Sequence, residues 1–177
     1  RNRFCPFAQA ARMHTELEKP DLLPPSSDQL RADRRRPADV LISSWQNGLP
    51  AAFDFAICSP IRRDVVVQAS LKPGAAAEAY EQHKRSYLDT AAQCLRQGFS
   101  FVPMVGEPSG GWGPSAQCVF KQLSKAIAAA SGREASIELT EHRQAMGVLL
   151  RLANARAIFR RHPGGSPAQA DSVSSAL

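Results

Sequence analysis

The sequence predicts an α/β domain. It centres on a mixed sheet of about four strands flanked by helices, in the order α-β-β-β-α-β, with extra C-terminal helices. Three observations predict it. The stretch from Arg34 to Pro60, RRRPADVLISSWQNGLPAAFDFAICSP, reads as two strands joined by a tight turn. Asn47-Gly48 between them is the strongest short-range signal for a type I′ hairpin. Downstream, an amphipathic stretch from about Ala75 to Gln97 reads as helix, and GFSFVPMVGE after it reads as a buried strand.

The hairpin carries the chemistry. With the turn at Asn47-Gly48, Gln46 faces Leu49, Leu41 faces Asp54 and Asp39 faces Ala56. Strand side chains alternate, so Asp39 and Asp54 share one face. They are diagonal neighbours, roughly 7–8 Å apart, and can close on one metal ion. Val40, Ile42, Phe53, Phe55 and Ile57 form the opposite, core face. Two acids in a hairpin can simply mark a solvated side. Here Leu41, Ala52, Ala56 and Cys58 share the acidic face, so something covers it, and covered acids need a partner or a metal.

The other elements follow in order. Residues 3–13 read as a short helix, and HTELEKPDLL as a weak strand that Pro20 places near an edge or an end. Residues 24–36 form a polar loop ending in Arg34, Arg35 and Arg36. Residues 61–74 are irregular and close on Pro73-Gly74. The helix that follows has the stripe Ala76, Tyr80, Tyr87, Ala91 and Cys94 or Leu95. Lys84 falls inside that stripe. Either its stem packs while the amine snorkels out, or the amine points at the acidic site. Gly98 ends the helix, and Glu107 stands at the end of the next strand. The turn PSGGWGPS has no Lys-Ser/Thr after its glycines, so it is not a phosphate-binding P-loop. Residues 115–130 form another helix; a last one, capped by Ser136, runs to about Arg161. This gives a core over 1–132, a basic C-terminal helix over 133–161 packed on or next to it, and a tail over 162–177 of disordered composition.

Composition narrows the function. The 177 residues are 44% hydrophobic, enough for one domain with a core. A net charge of +6 and a pI near 9.5 favour an anionic partner, nucleic acid first. Cys5, Cys58, Cys94 and Cys118 form no C-x-x-C pair and read as buried free thiols of a reducing compartment, nuclear or cytoplasmic. No apolar run reaches membrane-span length and no signal peptide is evident. The chain starts at Arg1, without Met, and reads as a piece of a longer protein. A nucleophilic Ser or Cys hydrolase is disfavoured: no G-x-S-x-G occurs, and His14, His83, His142 and His162 lie near no partner motif.

The ordered parts Arg36-Pro37-Ala38-Asp39, then Phe53-Asp54-Phe55, then Lys84-Arg85-Ser86-Tyr87 resemble a PD-(D/E)XK nuclease core. The likeness is to the restriction-endonuclease-like domain at the C-terminal end of some non-LTR retrotransposon polyproteins. There a basic residue, Pro and Asp precede a second acid, and the lysine is displaced from the strand to the following helix. The resemblance covers about residues 15–113 and rests on order and spacing. It departs from the family in three places. Ala38 separates Pro37 from Asp39. Ala56 stands where ordinary members carry the strand lysine. The first helix lacks an acid that some members use as a metal ligand; Glu16 or Glu18 would substitute.

The resemblance implies a metal-dependent DNA endonuclease with catalytic Asp39, Asp54 and Lys84. Asp39 and Asp54 would hold Mg²⁺ or Mn²⁺, with Glu18 or Glu107 as candidate further ligands; Glu107 reads equally as a helix-capping group. Arg34, Arg35, Arg36 and Arg85 would contact the DNA backbone, the Arg run reading equally as a solvated loop. A reverse transcriptase upstream in the same polyprotein is the implied partner. The rival reading is a decayed nuclease fold that binds nucleic acid or protein without cleaving.

Overall fold

The computed structural model describes residues 4–19, 22–23 and 38–161. Arg34, Arg35, Arg36 and the tail over 162–177 lie outside the described residues. Four strands form one mixed sheet in spatial order β1-β2-β3-β4: β1 (Thr15–Leu17), β2 (Val40–Ile42), β3 (Ala51–Ile57) and β4 (Ser100–Gly106). The first three run antiparallel to their neighbours, and β4 pairs parallel to β3. Parallel pairing needs a long crossover. Here it contains α2 (Val66–Leu71), α3 (Ala75–Ser86) and α4 (Thr90–Arg96). Helix α1 (Phe4–Ala10) precedes the sheet; α5 (Pro114–Ser131) and α6 (Ala135–Arg161) follow it. Pro103 lies inside β4, which its place at the sheet edge tolerates. Among the described residues no helix is long and apolar enough to cross a membrane.

The hairpin register differs from the expected one by two residues. Val40 pairs with Phe53 and Leu41 with Ala52, where the ideal hairpin sets Leu41 against Asp54. The turn itself is as expected: Leu49 N–H donates to the Gln46 carbonyl at 3.1 Å, and Asn47 (φ 55°) and Gly48 (φ 76°) are both left-handed. The slip arises just before it. Trp45 N–H pairs with the Leu49 carbonyl at 2.8 Å, and the Trp45 ring packs edge-on to Phe53 at 5.1 Å. Ser43 and Ser44 thus lie between the Ile42–Ala51 and Trp45–Leu49 pairings, opposite Pro50 alone. A slip of two preserves the alternation that a slip of one would invert. Leu41 and Ala52 therefore still share the face of Asp54.

The sheet is covered on both sides. Val40, Ile42, Phe53 and Met104 pack with Phe4 of α1, Phe120 and Leu123 of α5, and Met146 of α6. On the other face Leu41, Ala52 and Phe101 pack with Cys94 of α4, while Val105 packs with Ala76 and Ala77 of α3. The helix expected over Ala75–Gln97 is broken at Tyr87–Asp89, where Leu88 (φ 50°) and Asp89 (φ 55°) are left-handed. Hydroxyls flank the break and take backbone carbonyls: Ser86 donates to Gln82 and His83, Thr90 to Tyr87. The buried face of α3 is Ala76, Ala77 and Glu81, with Tyr80 half-buried beside it, whereas Tyr87 is 51% exposed. Residues expected to be irregular form α2. Ser136 does not cap α6, which begins one residue earlier; its hydroxyl bonds Glu134. Cys118 is exposed, in contrast to the other three thiols.

His142 of α6 is 1% exposed and stacks on Phe7 with ring centroids 3.7 Å apart. Neither ring nitrogen has a hydrogen-bond partner among the described residues. Burial lowers its pKa from 6.5 to about 4. The neutral ring thus favours the fold fully above pH 6.5, and that contribution is lost as pH falls towards 4. His142→Phe should remove roughly 3 kcal/mol of pH-dependence from this window. Urea melts from pH 7 to 4 check it; an unchanged acid limb would count against the assignment.

Candidate functional site

The site sits where β3 passes beneath α3. Asp54 lies mid-strand on the face covered by that helix, and Lys84 comes from the last turn of α3. Lys84 Nζ meets Asp54 Oδ2 at 2.5 Å, and both side chains are less than one-fifth exposed. The amine therefore does not snorkel to solvent. The helix delivers it to the acid because Ala77, Glu81 and Lys84 recur at helical spacing on its inner side.

Asp39 stands one residue before β2. Its N–H donates to the Phe53 carbonyl at 2.9 Å, and its Oδ2 accepts the Phe55 N–H at 2.8 Å. The carboxylate thus replaces a backbone partner where β2 has ended. Those two bonds fix it next to Asp54. Burial is the main cause that raises the Asp54 pKa above the usual carboxylate value; Lys84 pulls it down, and the Asp39 charge pushes it up again. Two carboxylates and one ammonium share a half-buried pocket of the sheet.

The remaining sequence candidates separate. Glu18 is exposed and left-handed (φ 47°), and its N–H bonds the Asp39 carbonyl at 3.0 Å, so its backbone borders the site. Glu16 pairs with Lys19 at 3.0 Å. Glu107 is not brought to the acids. It lies beyond Gly106, the partner of Ile57, roughly 13 Å along the strands from Asp54. There its buried Oε1 accepts the Ala77 N–H at 3.1 Å, capping the first turn of α3. Arg85 does not reach outward to DNA. It turns inward, donating to the Phe101 carbonyl at 3.3 Å and the Ser115 hydroxyl at 2.7 Å. The Arg34–Arg36 run lies outside the described residues.

Sequence reasoning missed Glu81. It is 2% exposed, and its Oε2 accepts both the Ser115 N–H (3.1 Å) and the Ser115 hydroxyl (2.7 Å) at the start of α5. Burial raises its pKa. Its position three residues before Lys84, on the same inner side, was the available signal. Cys58, at the far end of β3, is no thiolate: burial first, then Glu107, pushes its pKa up to about 11.

The donor set can be tested against a cation. Among the described residues no three His, Cys, Asp or Glu side chains gather as a metal cluster. Two carboxylates remain, and the repulsion that helps to raise Asp54 is what a divalent cation relieves. Mg²⁺ takes hard oxygen ligands and keeps several waters, so two carboxylates plus phosphate oxygens form a sufficient set. Asp39 and Asp54 fit that description. No family model, curated protein or solved structure matches the chain.

Proposed function

We propose that this chain carries a metal-dependent DNA endonuclease domain of the restriction-endonuclease-like, retroelement-associated kind, nicking DNA by phosphodiester hydrolysis. The observation that carries the reading is the convergence of Lys84 with Asp54, beside Asp39, on the helix-covered face of the sheet. The α-β-β-β-α-β order supports it. Asp39 and Asp54 would hold Mg²⁺ or Mn²⁺, which polarises a phosphate and lowers the pKa of a water. Lys84 has three N–H donors. One holds Asp54, which leaves capacity for a water and for a phosphate oxygen where negative charge grows. The Phe55 N–H holds Asp39 in its orientation. The proposed setting is nuclear or cytoplasmic, with an upstream reverse transcriptase in the same polyprotein.

Purified domain should nick supercoiled plasmid with Mg²⁺ or Mn²⁺ and stop on addition of a chelator. Failure with every divalent ion sinks the enzyme reading. The second reading, a decayed fold that binds without cleaving, is favoured by two observations: Ala56 occupies the usual lysine place, and Lys84 and Asp54 already satisfy one another.

DNA binding itself should run through backbone charge. Changing Arg34, Arg35 and Arg36 together to Ala should weaken all sequences alike and reduce the salt slope of log K by roughly 3. Binding isotherms across a salt series check this. Salt-independent binding by the wild type would count against it.

A further inference from the structure

Helix α3 carries a second row of side chains beside the Asp54–Lys84 pair. Tyr80 and His83 have ring centroids 5.8 Å apart, as do His83 and Tyr87, with interplanar angles of 31° and 44°. The row begins at the acids: Lys84 Nζ, which holds Asp54, lies 5.8 Å from the centre of the Tyr80 ring. The Arg62 guanidinium, which also holds the Asp64 carboxylate through two hydrogen bonds, lies 5.9 Å from the same ring. From there the row climbs outward. Tyr80 is half-buried, His83 is exposed and Tyr87 is 51% exposed. The row ends at Tyr87, one residue past the end of α3, where Leu88 (φ 50°) turns the chain away.

Ring contacts along a helix contribute only about 0.2–0.5 kcal/mol per pair to that helix. Stability therefore gives little reason to leave His83 and Tyr87 facing water, with Tyr80 packed behind them against the Ala76–Val105 cluster and two cations beside it. Nucleic acid gives a better one. Bases stack on exposed aromatic faces for about 1–3 kcal/mol each, while neighbouring cations track the phosphates. In a duplex the base faces are hidden in the stack, so only an unpaired strand can use such a row.

We propose that His83 and Tyr87, backed by the half-buried Tyr80, form a stacking platform for unpaired bases, so that the substrate of the neighbouring acidic site is DNA with a single-stranded segment beside the scissile phosphate. The substrate half of this rests on the nuclease reading; the platform half does not. A strand laid along the row would place successive bases on Tyr87 and His83 and run on towards Tyr80. Its phosphates would then arrive at Arg62 and Lys84, next to Asp54 and Asp39.

The test uses the whole chain and a 2-aminopurine-labelled oligonucleotide, single-stranded or annealed, without divalent metal. Wild type should quench the single-stranded probe and bind it more tightly than the duplex. Tyr87→Ala and His83→Ala should each weaken single-strand affinity by roughly tenfold, with duplex affinity unchanged. Tyr87→Phe, which keeps the ring, should bind as wild type, and thermal melts should show all three variants folded. Equal affinity for single strand and duplex overturns the proposal. So does unchanged single-strand affinity in both alanine variants. A platform that behaves as expected in a chain that nicks no plasmid would instead remove the nuclease reading and leave the binding one.

Discussion

Asp54→Asn should lower plasmid nicking by roughly 10²–10³-fold, the scale for removing one preorganised electrostatic group from a reacting centre. The substitution keeps the shape of the side chain and a hydrogen-bond acceptor for Lys84, but removes a ligand charge. DNA affinity should hold, because it depends on cations elsewhere. Lys84→Ala should lower nicking on the same scale, through loss of the donor. Titration of the carboxyl gives a second check. Nicking requires ionised Asp54, whose pKa lies above the model-peptide value of 3.8 because burial outweighs the Lys84 pairing. In the metal-free protein the Asp54 carboxyl should therefore titrate above an ordinary aspartate, and a bound divalent cation should lower it again. Asp54→Asn nicking as fast as wild type would end the enzyme reading.

Much of this site was legible in the sequence, because its parts follow from periodicity. Asn47-Gly48 fixes the turn, alternation fixes which strand residues share a face, and helical spacing points Lys84 inward. Even the two-residue error in register left Leu41, Ala52 and Asp54 together, since faces repeat every second residue. What could not be read were contacts closed by residues distant in the chain. Glu81 meets Ser115, 34 positions later, and Glu107 meets Ala77, 30 positions earlier. Neither pairing leaves a local pattern. For the same reason Arg85 looked like a surface cation until Ser115 and Phe101 claimed it. The break at Leu88-Asp89 was hidden too, because Leu88 gives no sign of a left-handed backbone and a single Asp, though tolerant of one, is a weak signal inside a helical pattern.

Gly113→Ala should be the most damaging substitution that touches no proposed catalytic group. The glycine-rich turn reads as a loop, but two of its members make room for buried glutamates. A Cβ at Gly111 would lie 2.8 Å from Glu107 Oε2. One at Gly113 would land on the Glu81 carboxylate itself, striking its oxygen and carbon together. Gly113 cannot retreat, because its N–H is bonded to the Val105 carbonyl at 2.9 Å. Glu81 must move instead, releasing the Ser115 N–H and hydroxyl and uncapping α5. Overpacking costs about 1–3 kcal/mol, and losing a cap about 1 more. A loss near 3 kcal/mol in a urea melt is expected. Glu81→Ala alone should cost less, since it also removes a buried Oε1 with no hydrogen-bond partner among the described residues. Glu81→Ala combined with Gly113→Ala should then fall well short of the sum, because the methyl group now occupies space the carboxylate has left. Strict additivity would mean that Gly113 is small for some reason other than Glu81. Because Glu81 and Lys84 lie on the same inner side of α3, the Gly113→Ala protein should also nick more slowly even where it remains folded, and the double variant should recover part of that rate.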